Sequence, residues 1–182
     1  MTAVELRWTT ELTPDDYADL ASLFDSEYVD EWGPWNPKRG YGFARGELHA
    51  LARLDGQLLG YAASARRFVG VGSDELVIAG TGGVLTRKDA RGAGVGNAVL
   101  SALQSASRGC APADFGFLGC REEVVPFYES CGYVRIHSLV LDVSPRDAMT
   151  LARSHGPTMI CGGARSVDDW PEGAIDLRGL PW

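Results

Sequence analysis

Apolar and polar positions alternate over Val4–Thr10 (VELRWTT), a period of two that predicts a strand. In TPDDYADLASLF, Thr13 suits an N-cap, Pro14 the first helical position and Asp16 a capping-box partner. Tyr17, Leu20, Ala21 and Phe24 then recur at helical spacing and predict an amphipathic helix. From Glu27 to Gly46 the chain is broken by Gly and Pro and rich in aromatics. It reads as a long loop with room for one helical turn, a length that is uncommon and often functional. Three strand-like runs follow, Glu47–Leu54, Leu58–Val69 and Glu75–Thr86, joined by the hairpin-like turns DGQ and GVGSD, an antiparallel meander. Val95, Val99, Leu103 and Ala106 mark one helical face, and ADFGFLGC a short buried strand. Val124, Phe127, Tyr128 and Cys131 mark a short helix stopped by Gly132. YVRIHSLVLDV and GPTMICGG read as further strands, and DDWPEGAIDLRGLPW as coil. The order predicts an α+β fold, a mostly antiparallel sheet with helices on its faces, in one domain spanning residues 1–182.

Composition narrows the function. A chain of 182 residues, 45% hydrophobic, is long enough to bury a continuous core. Its net charge of −7 lacks a nucleic-acid footprint; a cationic small partner is the sharper expectation and simple solubility the plainer one. The N-terminus has no signal-peptide layout and no apolar run approaches a membrane span of roughly 18 residues. Cys110, Cys120, Cys131 and Cys161 are scattered without a CxxC pair, which favours reduced thiols in the cytoplasm over disulfides or zinc, and no metal site is expected.

The stretch DARGAGVGNAVL concentrates Gly92, Gly94 and Gly96 at a helix start, where each glycine costs about 0.5–1 kcal/mol relative to alanine. Strand, glycine turn and helix form an anion cradle, because the first N–H groups of a helix are unpaired and carry partial positive charge. The glycines sit at Gly-x-Gly-x-Gly after a meander, which argues against a dinucleotide, and no Lys-Ser/Thr follows, which argues against a P-loop. A purely structural turn is the competing reading.

RGAGVG resembles the (Arg/Gln)-x-x-Gly-x-(Gly/Ala) pyrophosphate loop of the GNAT acyltransferase superfamily, with Arg91, Gly94 and Gly96 at the motif positions. VPFYESCGYV resembles that superfamily's helix with a tyrosine four residues before a glycine-aromatic pair. The resemblance runs from about Glu47 to Leu141 and implies a GNAT fold with acetyl-CoA as acyl donor. It implies a cofactor site of Val84, Leu85, Thr86, Arg91, Gly92, Ala93, Gly94, Val95, Gly96 and Asn97, with Tyr128 beside the thioester sulfur. Two families look closest. ELHAL, GVLTRKDARG, FYESCGY and the Asp169-Trp170-x-x-Gly173…Trp182 ending resemble aminoglycoside 2'-N-acetyltransferases. ARGELHAL, RRFVGVG and DWPEGAIDLRG resemble nodulation protein A, which moves a fatty acyl group from acyl carrier protein to the 2-amino group of a chitin oligosaccharide. Both resemblances imply acylation of an amino-sugar 2-amine. Acetyl transfer to an aminoglycoside, hence antibiotic resistance, suits the acidic balance; a kasugamycin-type acceptor fits, though the sequence does not single it out. Nodulation-type lipid transfer would require a deep apolar tunnel, and a non-catalytic acyl-CoA-binding module is a third reading. Dimers are common in the look-alike families, so a homodimer is among the expectations.

The attacking amine must lose a proton. Many superfamily members keep a glutamate for this on the fourth strand, where this chain has Ala79, Gly80, Thr81, Gly82 and Gly83. Glu31 aligns with an acidic substrate contact of the aminoglycoside enzymes and is the candidate base. Asp30, Asp168, Asp169 and the carboxylate of Trp182 are further acids that could face an acceptor. Trp32, Trp35, Tyr41 and Phe43 suit stacking on sugar rings or lid packing. His49, His137 and His155 lack metal spacing, and packed histidines are the default for His49 and His137 in strands. With reference pKa values of about 10 for a phenol and about 8.5 for a thiol, proton transfer from Tyr128 to the leaving thiolate is uphill by roughly 2 kcal/mol. Hydrogen-bond donation is therefore its expected role.

Overall fold

The computed structural model describes residues 3–38 and 41–182. Among these residues, one continuous sheet of ten strands carries three α-helices. Strand β1 (Ala3–Trp8) pairs antiparallel with β2 (Leu48–Leu54), which pairs with β3 (Gln57–Val71), which pairs with β4 (Asp74–Thr86), as the alternating runs predict. Helix α1 opens at Pro14 with the expected capping box, the Asp16 amide donating to Thr13 Oγ1 and the Thr13 amide donating to the Asp16 carboxylate at 2.9 Å. It buries Leu20, Leu23 and Phe24 against β3.

Two expectations change. Helix α1 runs from Pro14 to Trp32 rather than yielding to a loop at Glu27. Phe24, Tyr28 and Trp32 continue its period of four, and no breaker intervenes before Gly33, whose φ of 73° ends it. Glu31 and Trp32 thus stand on the last helical turn. The second change is YVRIHSLVLDV, which is two strands. β6 (Val134–Ile136) pairs with β9 (Thr158–Gly162), whereas β7 (Val140–Val143) pairs with β8 (Leu151–Arg153) and with β10 (Ile175–Asp176) inside the expected coil.

Helix α2 (Val95–Ser107) buries Val95, Val99, Leu103 and Ala106 on the sheet with β2 and β3. Strand β5 (Phe115–Gly119) runs parallel to β4, but their ladder covers only Ile78–Phe115 to Gly80–Phe117. Beyond Gly80 the two strands part. Short helix α3 (Val125–Ser130) is closed by Gly132 at φ 82° and brings Tyr128 towards the split. No helix among the described residues is long and apolar enough to cross a membrane. All four cysteines are free, Cys131 and Cys161 buried, Cys120 half-buried and Cys110 exposed.

Candidate active site

The parting of β4 and β5 opens a cavity of about 630 Å³. Its β4 wall carries a bulge: Tyr61 and Ala63 of β3 face Leu85 and Gly82, so Gly83 and Val84 together oppose the single residue Ala62. Gly83 adopts φ 63°, a backbone that an L side chain enters only at a cost. Gly82, Gly83 and Val84 line the cavity; Leu85 turns its side chain into the core, and Thr86 gives its carbonyl to Arg91 Nε at 3.2 Å.

From Thr86 the chain enters the glycine turn. Gly92 and Gly94 both have φ 79°, and a methyl on either would meet nothing within 4 Å, so these glycines serve backbone shape and leave the outer surface open. Gly96 differs: a Cβ there would lie 2.9 Å from Phe127 Cζ, so packing demands it. Helix α2 has no side-chain cap, and its first internal hydrogen bond is Ala98 N–H to the Gly94 carbonyl. The amides of Val95, Gly96 and Asn97 are therefore left to an external acceptor. Ala93 N–H instead reaches the Ala90 carbonyl at 3.4 Å, and the Asn97 side-chain amide lies 3.5 Å from Cys131 Sγ. Arg91 is half exposed and bonded at 2.9 Å to Glu27 of α1, which also lies 3.4 Å from Lys88. The Arg91 hydrogen bond holds the Glu27 carboxyl below its ordinary pKa. Glu27 was not singled out from sequence; its position one turn after Phe24 and Leu23 on the lengthened helix is what brings it here.

Tyr128 lines the cavity on the α3 side, and its hydroxyl makes no hydrogen bond among the described residues. Burial pushes its pKa up, which makes proton release harder still and leaves hydrogen-bond donation as the chemistry available. Opposite, aromatic side chains build the other wall. Phe24 stacks on Trp35 at 5.2 Å, Tyr41 stands edge-on to Phe24 and Tyr28, and Trp32 meets Tyr41 and Phe43. The sequence-selected Glu31, Trp32, Trp35, Tyr41 and Phe43 all line this cavity. Among the described residues, its lining includes the charged side chains of Glu31, Arg45 and Arg121, and Trp182, whose carboxylate was among the candidate acids.

Trp182 occupies the crotch of the split. A Cβ on Gly80 would lie 1.8 Å from its indole, the Phe117 ring is edge-on at 6.0 Å, and the Arg67 guanidinium lies 4.3 Å from the indole centroid. Glycine thus stands at Gly80 and Gly82 because a tryptophan covers them, in the place where an acid was sought. The indole N–H of Trp182 and the Tyr41 hydroxyl, both in the cavity wall, are buried without a partner among the described residues. Asp168 and Asp169 lie elsewhere, which corrects their expected role as acceptor contacts. They belong to a one-turn helix capped by Ser166, where the Asp169 carboxylate accepts from the Ser166 amide. No group of three potential metal ligands exists among the described residues.

The family description "Nodulation protein A (NodA)" matches residues 2–180. The chain belongs to the nodulation protein A family. Nodulation protein A of Azorhizobium caulinodans is 27% identical over 96% of this chain and 81% of its own length, and that of Bradyrhizobium elkanii 25% identical over 97% and 89%. Among solved structures, the GNAT family N-acetyltransferase YhbS of Escherichia coli, in complex with CoA, superposes with a TM-score of 0.62 at 16% identity, covering 97% of this chain and 89% of that one. Escherichia coli ElaA superposes at 0.59 and 20% identity over 88% and 99%. The fold is that of the GNAT acyltransferases, and this member of the nodulation protein A family is an acyltransferase.

Proposed function

We propose that the protein transfers an acyl group from an acyl-CoA thioester to the amine of a neutral or singly charged amino sugar of the glucosamine type. The observation that carries the acceptor class is the cavity wall, where the aromatic side chains of Trp32, Trp35, Tyr41 and Phe43 gather as surfaces on which sugar rings can stack. Family membership likewise supports a glucosamine-type amine over the aminoglycoside expected from the acidic net charge, and antibiotic resistance is therefore not part of the reading.

The donor's diphosphate rests on the Val95, Gly96 and Asn97 amides beside Arg91, and the pantetheine arm follows the main chain of Val84, Leu85 and Thr86. The thioester then reaches the cavity between the Gly83–Val84 bulge and Tyr128. The amine attacks the thioester carbon, the main-chain N–H groups at the bulge steady the oxyanion, and Tyr128 donates a hydrogen bond to the departing thiolate. Glu31, at the cavity mouth, attracts and orients the amine. An apolar chamber of about 630 Å³ accepts chains longer than acetyl as well as a sugar. A cytoplasmic setting fits both the free thiols and a CoA donor. The test is thiol release from acetyl-, octanoyl- and palmitoyl-CoA with chitosan tetramer, kanamycin and spermidine. Turnover with chitosan tetramer exceeding that with kanamycin at least tenfold is expected. Preference for kanamycin would restore the antibiotic reading, and CoA binding without product from any amine would establish a binding module instead.

A further inference from the structure

On the acceptor side of the cavity three side chains from three strands' ends form a chain of hydrogen bonds. Thr9, just past β1, places Oγ1 3.0 Å from the Gly46 carbonyl, 3.2 Å from the Glu47 carbonyl and 2.9 Å from His49 Nε2. His49 of β2 then places Nδ1 2.8 Å from the Tyr61 hydroxyl of β3. All three line the cavity, and Tyr61 packs against Gly83 of the bulge, 3.1 Å from where a Cβ would stand.

The proton positions follow from this geometry. Thr9 has one hydroxyl proton; the Glu47 carbonyl already accepts from the Thr9 amide at 3.0 Å, and the Gly46 carbonyl, which only accepts, takes the hydroxyl proton at 3.0 Å. The ring nitrogen facing Thr9 must therefore be the donor, which assigns the N–H to Nε2. Nδ1 is left bare and accepts the Tyr61 O–H. The Tyr61 oxygen keeps its lone pairs for the cavity. Burial, with the nearby Arg45 acting in the same direction, lowers the His49 pKa to about 4, so the ring is neutral at rest.

Resting on the acyltransferase reading, we infer that Tyr61 and His49 form the relay that takes the proton from the attacking amine. As the nitrogen bonds to the thioester carbon, its proton passes to Tyr61 Oη while the Tyr61 proton moves to His49 Nδ1. The C–S bond breaks with its electron pair on sulfur, hydrogen-bonded by Tyr128. The imidazolium returns its proton through Tyr61 to the cavity, and the thiolate takes up one proton to leave as CoA thiol. Tyr61 is the catalytic residue; His49 and Thr9 act through it. The arrangement supplies a neutral acceptor where β4 offers no acid.

Two measurements test this. Long-range 1H–15N NMR of the ligand-free protein is expected to show His49 as the neutral Nε2–H tautomer from pH 5 to 9, with Arg45 acting on His49 and Tyr17 on Tyr61. An Nδ1–H tautomer overturns the relay, because Tyr61 would then have no acceptor for its proton. With octanoyl-CoA and chitosan tetramer, Tyr61→Phe and His49→Gln are each expected to lower kcat about 100-fold or more. The KM for octanoyl-CoA should stay at the wild-type value, and both variants should fold, with the melting temperature lower only by the few degrees that a lost buried hydrogen bond costs. The wild-type proton inventory in mixed H₂O and D₂O should be curved and become linear in both variants, a change that a packing role would not produce. Variants that keep wild-type kcat beside an active wild type overturn the relay alone. A wild type that acylates no amine overturns the acyltransferase reading, and the relay with it.

Discussion

Replacing Gly80 with alanine puts a methyl group into the ring of Trp182, with ideal Cβ distances of 1.8 Å to Cδ2 and 2.0 Å to Cε2. Strand β4 cannot retreat, because Gly80 is held by Ala65 on one side and Phe117 on the other. The indole must leave. It then loses its edge contact with Phe117, its stacking under Arg67 and its share of apolar burial. Full Trp→Ala truncation in a core costs about 3–5 kcal/mol, so a half-buried indole accounts for about 2 kcal/mol, including about 1 kcal/mol of cation–π attraction. Gly80→Ala and Trp182→Ala should therefore each destabilise by about 2 kcal/mol. The double variant should lose no more than Trp182→Ala alone, because the ring that clashes is already gone. Urea unfolding of the four proteins gives the coupling energy directly. Additive losses, or a Gly80→Ala protein within about 0.5 kcal/mol of wild type, would refute the placement of Trp182 in the split and with it the account of why β4 carries glycines.

Tyr128→Phe removes one hydrogen bond to a developing thiolate, an interaction of about 1.5–3 kcal/mol, so kcat should fall roughly 10- to 150-fold with KM for acyl-CoA unchanged in steady-state thiol release. Gly94→Ala meets no atom within 4 Å, so its stability cost is only the positive φ, about 1–2 kcal/mol. CoA affinity by calorimetry should nonetheless weaken tenfold or more, and unchanged affinity would remove the glycine turn from the donor site. Asp16→Asn should cost about 2 kcal/mol in chemical denaturation, because it removes the buried charge that Arg7 and Arg53 share at 2.7 and 2.9 Å and leaves each arginine only its second, more exposed acid, Glu5 or Asp19. Burial works to raise the Asp16 pKa, but hydrogen bonds from Thr13 and the charges of Arg7 and Arg53 outweigh it and hold the group below 3.8. Its stabilising contribution is thus complete above pH 5 and lost as pH falls through the lowered folded value. Wild type and Asp16→Asn should converge in stability on acidification.

What the sequence determined by itself was local. The capping box at Thr13, the meander turns, the apolar face of α2 and the stop at Gly132 each depend on neighbours within a few residues, so period and turn chemistry reveal them. The glycine turn and the tyrosine of α3 were legible for the same reason, as strand-turn-helix and helix-glycine patterns. The continuation of α1 to Trp32 was also present, in the spacing of Phe24, Tyr28 and Trp32, but the Gly-Pro-rich stretch after it masked the signal. Tertiary structure alone decided the rest. Strand β10 is two residues long and exists only because Ile175 and Asp176 find β3 and β7, distant in the chain. Trp182 fills the place of the missing acid through contacts with Gly80, Phe117 and Arg67, none of them near it in sequence. His49, within a strand, read as packing; its hydrogen bonds to Thr9 and Tyr61 require β1, β2 and β3 in register. A short-range pattern specifies which elements form, whereas the chemistry of a site depends on which distant side chains the sheet brings within 3 Å.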